Sequence, residues 1–195
     1  MSRRGVSLEE ISEDYPIILV DTCALIGYQG FSEVVNARVD SAYSYRINME
    51  VDSAIFFKKY INEGVGIYVT SFVFREYSIG SSSSSYIKDL LDAIQSNSRI
   101  LQLDEDERKL YNEISRKHHG VKNKFGLGYT DCDFLVSGIA RKEPVALVSN
   151  DIGILHAWKF LLMKEGLSLD ELSFLIRIGN ETFKKIKPPK AYKKI

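Results

Sequence analysis

Two aspartates stand where apolar segments of the chain end. Asp21 closes the segment 16–21, and Asp151 lies just past the segment 144–149. Each segment opens with a proline and continues in apolar, mostly β-branched residues, which is typical of a strand buried on both faces of a parallel sheet. Ligands of open parallel sheets bind outside the carboxyl ends of the strands. We therefore expect the two carboxylates to face one cleft if these strands are neighbours.

Further acids follow a second apolar segment and open a helix. Glu76 comes about a turn and a half of helix after the segment 66–71 and can reach the same edge of the sheet. Asp133 falls near the start of a helical pattern, for which Thr130 is the expected N-cap, with Asp133 at the third position. Asp131 lies two residues earlier, so on a regular helix it points about 200° away from Asp133. Only one of the two should face the cleft squarely.

Each acid alone has a purely structural explanation, because aspartate often forms turns and caps helices. Four acids at the ends of successive strand–helix units are harder to explain in that way. Clustered carboxylates repel one another unless a cation compensates their charge. Oxygen ligands without a matching set of Cys and His favour Mg²⁺ or Mn²⁺, and His118, His119 and His156 have no zinc-like spacing to either cysteine. The sequence therefore predicts a divalent-cation site.

The elements that must position these acids alternate between strand and helix. Strand-like segments lie at 16–21, 66–71, 99–103 and 144–149, with a weaker one at 174–178. Helical patterns fill residues 51–61, 86–94, 104–117, 130–141 and 152–164. Such alternation indicates βαβ units and a parallel sheet covered on both faces. We predict an α/β fold with three α/β/α layers and a central parallel sheet of four to five strands.

Four of these segments together resemble the motifs of PIN-domain ribonucleases. Segment 17–25 (IILVDTCAL) resembles the opening strand and Asp-Thr, and segment 68–76 (YVTSFVFRE) resembles the strand that runs into a helix carrying a glutamate. Segment 130–140 (TDCDFLVSGIA) resembles the aspartate that opens a helix of small residues. Segment 145–151 (VALVSND) resembles the strand followed by Ser-x-Asp. The motifs occur in the family's order over most of the chain.

The resemblance implies an endoribonuclease that cleaves single-stranded RNA with metal-activated water. Its acidic quartet, both catalytic and metal-binding, would be Asp21, Glu76, Asp133 and Asp151, with Asp131 as a further candidate ligand. The small residues at i+4 and i+7 match the family better when Asp133 is the motif acid. Thr22, Ser149 and Asn150 would lie near the metal or the scissile phosphate. Cys23 stands where many members have Asn or Ser.

The chain departs from compact toxin members of the family in length. We predict one PIN-like domain over 1–183, with a longer stretch at about 28–64, and a basic tail over 184–195. The tail holds six lysines on either side of Pro188-Pro189, which we expect to contact RNA: Lys184, Lys185, Lys187, Lys190, Lys193 and Lys194. The sequence leaves open a homodimer and a small antitoxin-like partner.

The composition bears on the cellular location of the protein more than on its function. The 26 basic and 26 acidic residues cancel, which does not suit a protein that only coats nucleic acid but allows acids in a cleft and bases around it. No apolar run approaches the roughly 20 residues of a membrane span. The first residues lack the apolar core of a secretory signal, and Cys23 and Cys132 give no disulfide framework. We expect a cytoplasmic protein without membrane contact.

Two alternatives to the ribonuclease remain at this point. One is a non-catalytic PIN-like module that binds RNA or a protein, against which the intact acids count. The other is the toxin of a toxin–antitoxin pair, which one sequence cannot decide. The cysteines are expected near the cleft as small buried side chains without chemical work.

Overall fold

The computed structural model describes residues 5–27, 39–80, 84–165, 171–178 and 182–187, with backbone alone for 39–47 and 165. The elements in chain order are α1 (Leu8–Asp14), β1 (Ile17–Val20), α2 (Thr22–Ile26), α3 (Val39–Asn62), β2 (Ile67–Tyr68), α4 (Ser71–Gly80), α5 (Ser85–Ser96), α6 (Glu105–Lys117), α7 (Val121–Phe125), α8 (Tyr129–Ala140), β3 (Val145–Val148), α9 (Ile152–Glu165), β4 (Leu172–Arg177) and β5 (Phe183–Ile186).

The strands form one sheet in the order β2-β1-β3-β4-β5. The first four strands are parallel, and β5 pairs with β4 in the antiparallel sense. Every residue of β1 and β3 is buried, because helices cover both faces of the sheet as parallel strands require. The predicted three-layer α/β/α architecture with four to five strands is confirmed.

The register between β1 and β3 brings the ends of the two strands level. Val20 lies opposite Val148, and the chain leaves both strands at the same edge of the sheet. The backbone N–H of Asp21 continues the ladder by donating to the carbonyl of Val148, at 3.0 Å. Asp21 and the residues that follow β3 are therefore neighbours, as the sequence predicted.

Several predicted elements differ from the observed ones. The strand expected at 99–103 is reduced to a single parallel bridge between Val69 and Ile100, and the strand expected at 66–71 is only two residues long. The helix expected at 51–61 is the second half of α3. The sequence analysis did not find α1, although Ser7 and Glu10 form its capping box. It also missed α2, α7 and β5.

The long stretch at about 28–64 contributes to the central core where it is described. Phe57, Tyr60 and Ile61 of α3 are buried in the same apolar cluster as β1 and β3. Residues 28–38 lie outside the described part of the chain. The basic segment begins inside the sheet, because Lys184 and Lys185 belong to β5, whereas Lys190, Lys193 and Lys194 lie outside the described residues.

A buried ion pair fixes α8, which carries two of the predicted site acids, against α6. Glu107 is 2% exposed, and its carboxylate accepts from the guanidinium of Arg141, at 2.9 Å, and from the backbone N–H of Lys142, at 3.2 Å. The same carboxylate accepts from the backbone N–H of Asp104 in the capping box of α6. These bonds compensate the desolvation of the charge, so the pair sets the position of α8.

Close contact between β1 and β2 yields a test of the fold. A Cβ at Gly66 would overlap the carbonyl oxygen of Pro16, and that backbone atom cannot move without separating the strands. We expect Gly66→Ala to lower the free energy of unfolding by about 1–3 kcal/mol, with a melting temperature lower by roughly 2–4 °C per kcal/mol. Denaturant and thermal unfolding measure both quantities.

Gly80→Ala is the matched control, because a Cβ at that helical position meets no described atom within 4 Å. It should leave stability unchanged or slightly raised. Equal stability of the two variants would contradict the close approach of β1 and β2.

Candidate active site

Asp21 forms the floor of the site. It is 2% exposed and caps α2, where its Oδ1 accepts from the backbone N–H of Thr22 at 2.7 Å. Its Oδ2 accepts from the thiol of Cys23, at 2.7 Å, and from the hydroxyl of Ser149, at 2.9 Å. The carboxylate is thus held rigidly at the end of β1 by donors from two strands' ends.

Burial disfavours the charged form of Asp21. Desolvation raises the pKa of this carboxyl to about 6, against the hydrogen bonds from Cys23 and Ser149, which lower it. The negative charge of Asp131 raises this pKa further. Burial and the nearby charge of Asp21 also raise the pKa of the Cys23 thiol, so the thiol stays protonated and donates to the carboxylate. Cys23 is therefore a support of Asp21 rather than a nucleophile.

Ser149 joins Asp21 to Asp151. The Ser149 hydroxyl is fully buried, and besides donating to Asp21 it accepts from the backbone N–H of Asp151 at 3.1 Å. Asp151 is exposed, and its Oδ1 accepts from the backbone N–H groups of Gly153 and Ile154 at the start of α9. Asp151 is therefore an exposed cap of α9 whose backbone is bonded to the serine that supports Asp21.

Glu76 reaches the site from α4, which follows β2 on the other side of β1. The hydroxyl of Thr22 donates to Glu76 Oε2 at 2.6 Å. Glu76 is exposed, and Thr22 is half-buried. The residue directly after Asp21 therefore holds the glutamate over the end of β1.

The start of α8 differs from the sequence prediction. The helix begins at Tyr129, and its N-cap is Gly128, not Thr130. Asp131 occupies the third helical position, where its Oδ2 accepts from the backbone N–H of Gly128 at 2.6 Å. The expected position of Asp133 in the first turn was therefore wrong by two residues.

This shift decides which aspartate of α8 faces the other acids. Burial raises the pKa of Asp131, and the negative charges of Asp151 and Glu76 raise it further. Asp133 points instead toward α6, where its Oδ1 accepts from the hydroxyl of Tyr111 at 3.0 Å. Burial raises its pKa too, while the hydroxyls of Thr70, Tyr111 and Ser137 lower it. The structure thus brings together Asp21, Glu76, Asp131 and Asp151.

Asn150, expected near the phosphate, has a structural partner at the sheet edge. Its Nδ2 donates to the carbonyl of Arg177 at 3.1 Å, and its Oδ1 accepts from the N–H of the same residue at 3.0 Å. The amide therefore extends the pairing of β3 with β4 beyond the strands.

Other residues that the sequence singled out lie away from these acids or line a cavity. The Nζ of Lys185 lies 4.0 Å from Oδ2 of Asp14. His118 and His119 line the same cavity as Asp133.

The carboxylate oxygens at this edge are the type of ligand that hard divalent cations prefer. Their charges oppose one another, the condition that a bound cation relieves. Within the described ranges, no three side chains of His, Cys, Asp or Glu are arranged so that they could hold a metal ion directly. The fit therefore rests on the oxygen donors and on the mutual repulsion of Asp21, Glu76, Asp131 and Asp151.

No protein-family model, curated protein or solved structure matches the chain. Among the helices of the described residues, none combines the length and apolar character of a membrane span.

The burial of Asp21 makes stability depend on pH in a defined direction. Its pKa is about 6 in the folded protein against an ordinary 3.8, so the folded state holds the proton more tightly than the unfolded state. The free energy of unfolding should therefore fall by up to about 3 kcal/mol as the pH rises from about 4 to about 7. Asp21→Asn should remove most of this decline and stabilise the metal-free protein at pH 7. The remainder comes from Asp131 and Asp133, whose pKa values burial also raises.

Urea unfolding of both proteins across this pH range, in chelator, measures the effect. Asp92→Asn, which removes one charge from the exposed surface of α5, should keep the decline of the wild type. A decline as large in Asp21→Asn as in the wild type would show that Asp21 is not its source.

Proposed function

We propose that the chain is a metal-dependent endoribonuclease of the PIN-like kind that cleaves single-stranded RNA. The observation that supports the proposal is that four acids, from the ends of β1 and β3 and from α4 and α8, lie near enough for charge to act between them: Asp131 acts on Asp21, and Glu76 and Asp151 act on Asp131. Asp131 takes the place that the sequence analysis gave to Asp133, because the charges of Glu76 and Asp151 act on Asp131.

The proposal assigns the cation to Asp21, Glu76, Asp131 and Asp151. A bound Mg²⁺ or Mn²⁺ lowers the pKa of water and offsets charge on the phosphate under attack. The carboxylates must stay ionised for this role. Buried Asp21, whose pKa desolvation raises, gains most from a nearby positive charge.

The remaining side chains orient these carboxylates. Ser149 and Cys23 donate to one oxygen of Asp21, and the backbone of Thr22 donates to the other. Thr22 also turns Glu76 toward the site through its hydroxyl. Such supporting bonds fix ligand orientation and commonly change metal affinity or activity by about 10- to 100-fold when removed.

Cleavage assays of labelled single-stranded RNA test the proposal. We expect cleavage with Mg²⁺ or Mn²⁺ and none with excess chelator, and products ending in 5′-phosphate and 3′-hydroxyl. Asp131→Asn keeps an oxygen for the N–H of Gly128 but loses the charge. It should lower the cleavage rate by more than the ~100-fold upper range for supporting residues.

Asp92→Asn serves again as the control of equal charge change and should cleave at the wild-type rate. Cleavage that survives in both Asp131→Asn and Asp21→Asn would point to a contaminating nuclease. RNA binding without cleavage in any metal would favour the non-catalytic binding module instead.

A further inference from the structure

A positive segment, residues 114–130, leads from the end of α6 to the start of α8. It holds four lysines and arginines, two histidines and no acid, although the 26 basic and 26 acidic residues of the whole chain balance. The four cations are Arg116, Lys117, Lys122 and Lys124. The segment therefore concentrates positive charge in one part of a chain that is neutral as a whole.

Helix α7, in the middle of the positive segment, lies against the acids. A Cβ at Gly153 would lie 3.0 Å from the carbonyl oxygen of Phe125, the last residue of α7. The N–H of Gly153 donates in turn to Asp151. Near the end of the segment, the N–H of Gly128 donates to Asp131 at 2.6 Å. The backbone that carries the lysines is thus in contact with two of the four acids.

The charge of Lys122 acts at the start of α8, close to Asp131. Burial raises the pKa of the Cys132 thiol, the negative charge of Asp131 raises it further, and the positive charge of Lys122 lowers it. Cys132 directly follows Asp131 in the chain. The ammonium group and the acid therefore lie near the same thiol, and the positive segment borders the acid cluster.

The lysines of α7 contact aromatic rings instead of carboxylates. The Nζ of Lys122 lies 3.2 Å from the centre of the Tyr129 ring, and the Nζ of Lys124 lies 3.9 Å from that of Phe160. Neither ammonium group forms an ion pair with a residue in the described part of the chain. A ring attracts a cation without neutralising it, so both ammonium groups can still bind an anion.

Tyr129 adds an accessible ring to this surface. It is 76% exposed and opens α8 two residues before Asp131. Because Lys122 lies over the ring and the residue is still so exposed, much of the ring stays open to a ligand. Exposed rings beside a row of cations are typical of surfaces that bind single-stranded nucleic acid, where bases stack on the rings and cations follow the phosphates.

We propose that α7 and Tyr129 form the surface along which single-stranded RNA extends from the acids, with Lys122 and Lys124 at its phosphates and Tyr129 stacked on an unpaired base. The inference rests on the proposed function and adds the RNA-contacting surface to it. An acidic protein surface would suit the lysines but would be repelled by the neighbouring carboxylates. A strand can place one phosphate at a cation held by the acids and the next phosphates along α7.

The salt dependence of binding tests the two lysines. Lys122→Gln combined with Lys124→Gln should reduce the slope of log affinity against log salt by about 1.4, because each phosphate neutralised on a single strand contributes about 0.7. At about 0.1 M salt this change corresponds to roughly 25-fold weaker binding. Fluorescence anisotropy of a labelled RNA strand measures both quantities in a fixed concentration of Ca²⁺, a cation that carboxylates also bind. Gels check that the strand stays intact.

A second double variant controls for net charge. Lys58→Gln combined with Lys109→Gln removes the same charge from two lysines that already bind carboxylates, at 2.8 Å from Asp89 and 3.0 Å from Glu105. It should keep the salt slope of the wild type. Melting temperatures of both double variants check that each is folded. An equal fall in slope in the two would show that net charge alone governs binding and would overturn the proposed surface.

Tyr129 is tested by substitutions that leave the charge unchanged. Tyr129→Ala should weaken binding of the strand by about 5- to 150-fold, the effect of losing one stacked base, with the salt slope of the wild type. Tyr129→Phe keeps the ring and should bind as the wild type does. A duplex of the same sequence has no unpaired base, so Tyr129→Ala should leave its binding unchanged.

The outcomes distinguish this inference from the proposed function. A wild-type salt slope in the α7 double variant, or an equal loss of strand and duplex binding in Tyr129→Ala, would overturn the surface, and cleavage with metal would still support the nuclease. The expected slope change without cleavage in any metal would overturn the nuclease proposal alone. No binding of the strand at low salt would overturn the surface, whatever the cleavage assay shows.

Discussion

The buried negative charge of Asp21 is the constraint on which the arrangement of this edge depends. The carboxylate lies at the end of a strand with no exposed residue, where desolvation is the largest cause that raises its pKa. Three donors, from Thr22, Cys23 and Ser149, offset part of that cost. Each donor also fixes a neighbour of the site, because Thr22 holds Glu76 and Ser149 accepts from Asp151. The residues that donate hydrogen bonds to Asp21 thus also position Glu76 and Asp151.

The parallel pairing of β1 with β3 allows the same few hydrogen bonds to position several acids. In a parallel sheet both chains leave the strands at the same edge, so Asp21 and Ser149 meet across one register position. Helices α4 and α8, which pack against each other, then bring Glu76 and Asp131 to this edge. The charge of Asp131 raises the pKa of Asp21, and the charges of Glu76 and Asp151 raise the pKa of Asp131. A cation is the simplest means of stabilising Asp21 and Asp131 in their ionised form. The nuclease proposal follows from this electrostatic need.

The sequence predicts the parts of this site that depend on strands and misplaces the part that depends on a helix start. The apolar segments before Asp21 and Asp151 predict where the strands end, because a run of four apolar residues is typical of a strand in a covered sheet. For α8, Thr130 looked like the better cap, but the chain uses the backbone of Gly128 with Asp131 as its partner. Helix boundaries are set by such local competition, and an error of two residues turns a side chain by about 200°. The strand expected at 99–103 is only one bridge and β5 was not predicted, because strand formation there depends on tertiary pairing, which no local pattern reveals.

Anomalous diffraction from crystals soaked in Mn²⁺ locates the cation without relying on activity and so tests whether these acids bind it. We expect a peak at the end of β1 with carboxylate oxygens of Asp21, Glu76, Asp131 and Asp151 around it, and Asp133 still bound to Tyr111. Asp131→Asn crystals should show a weaker peak at the same position. A peak centred on Asp133, or an empty acid cluster at saturating Mn²⁺, would contradict the account.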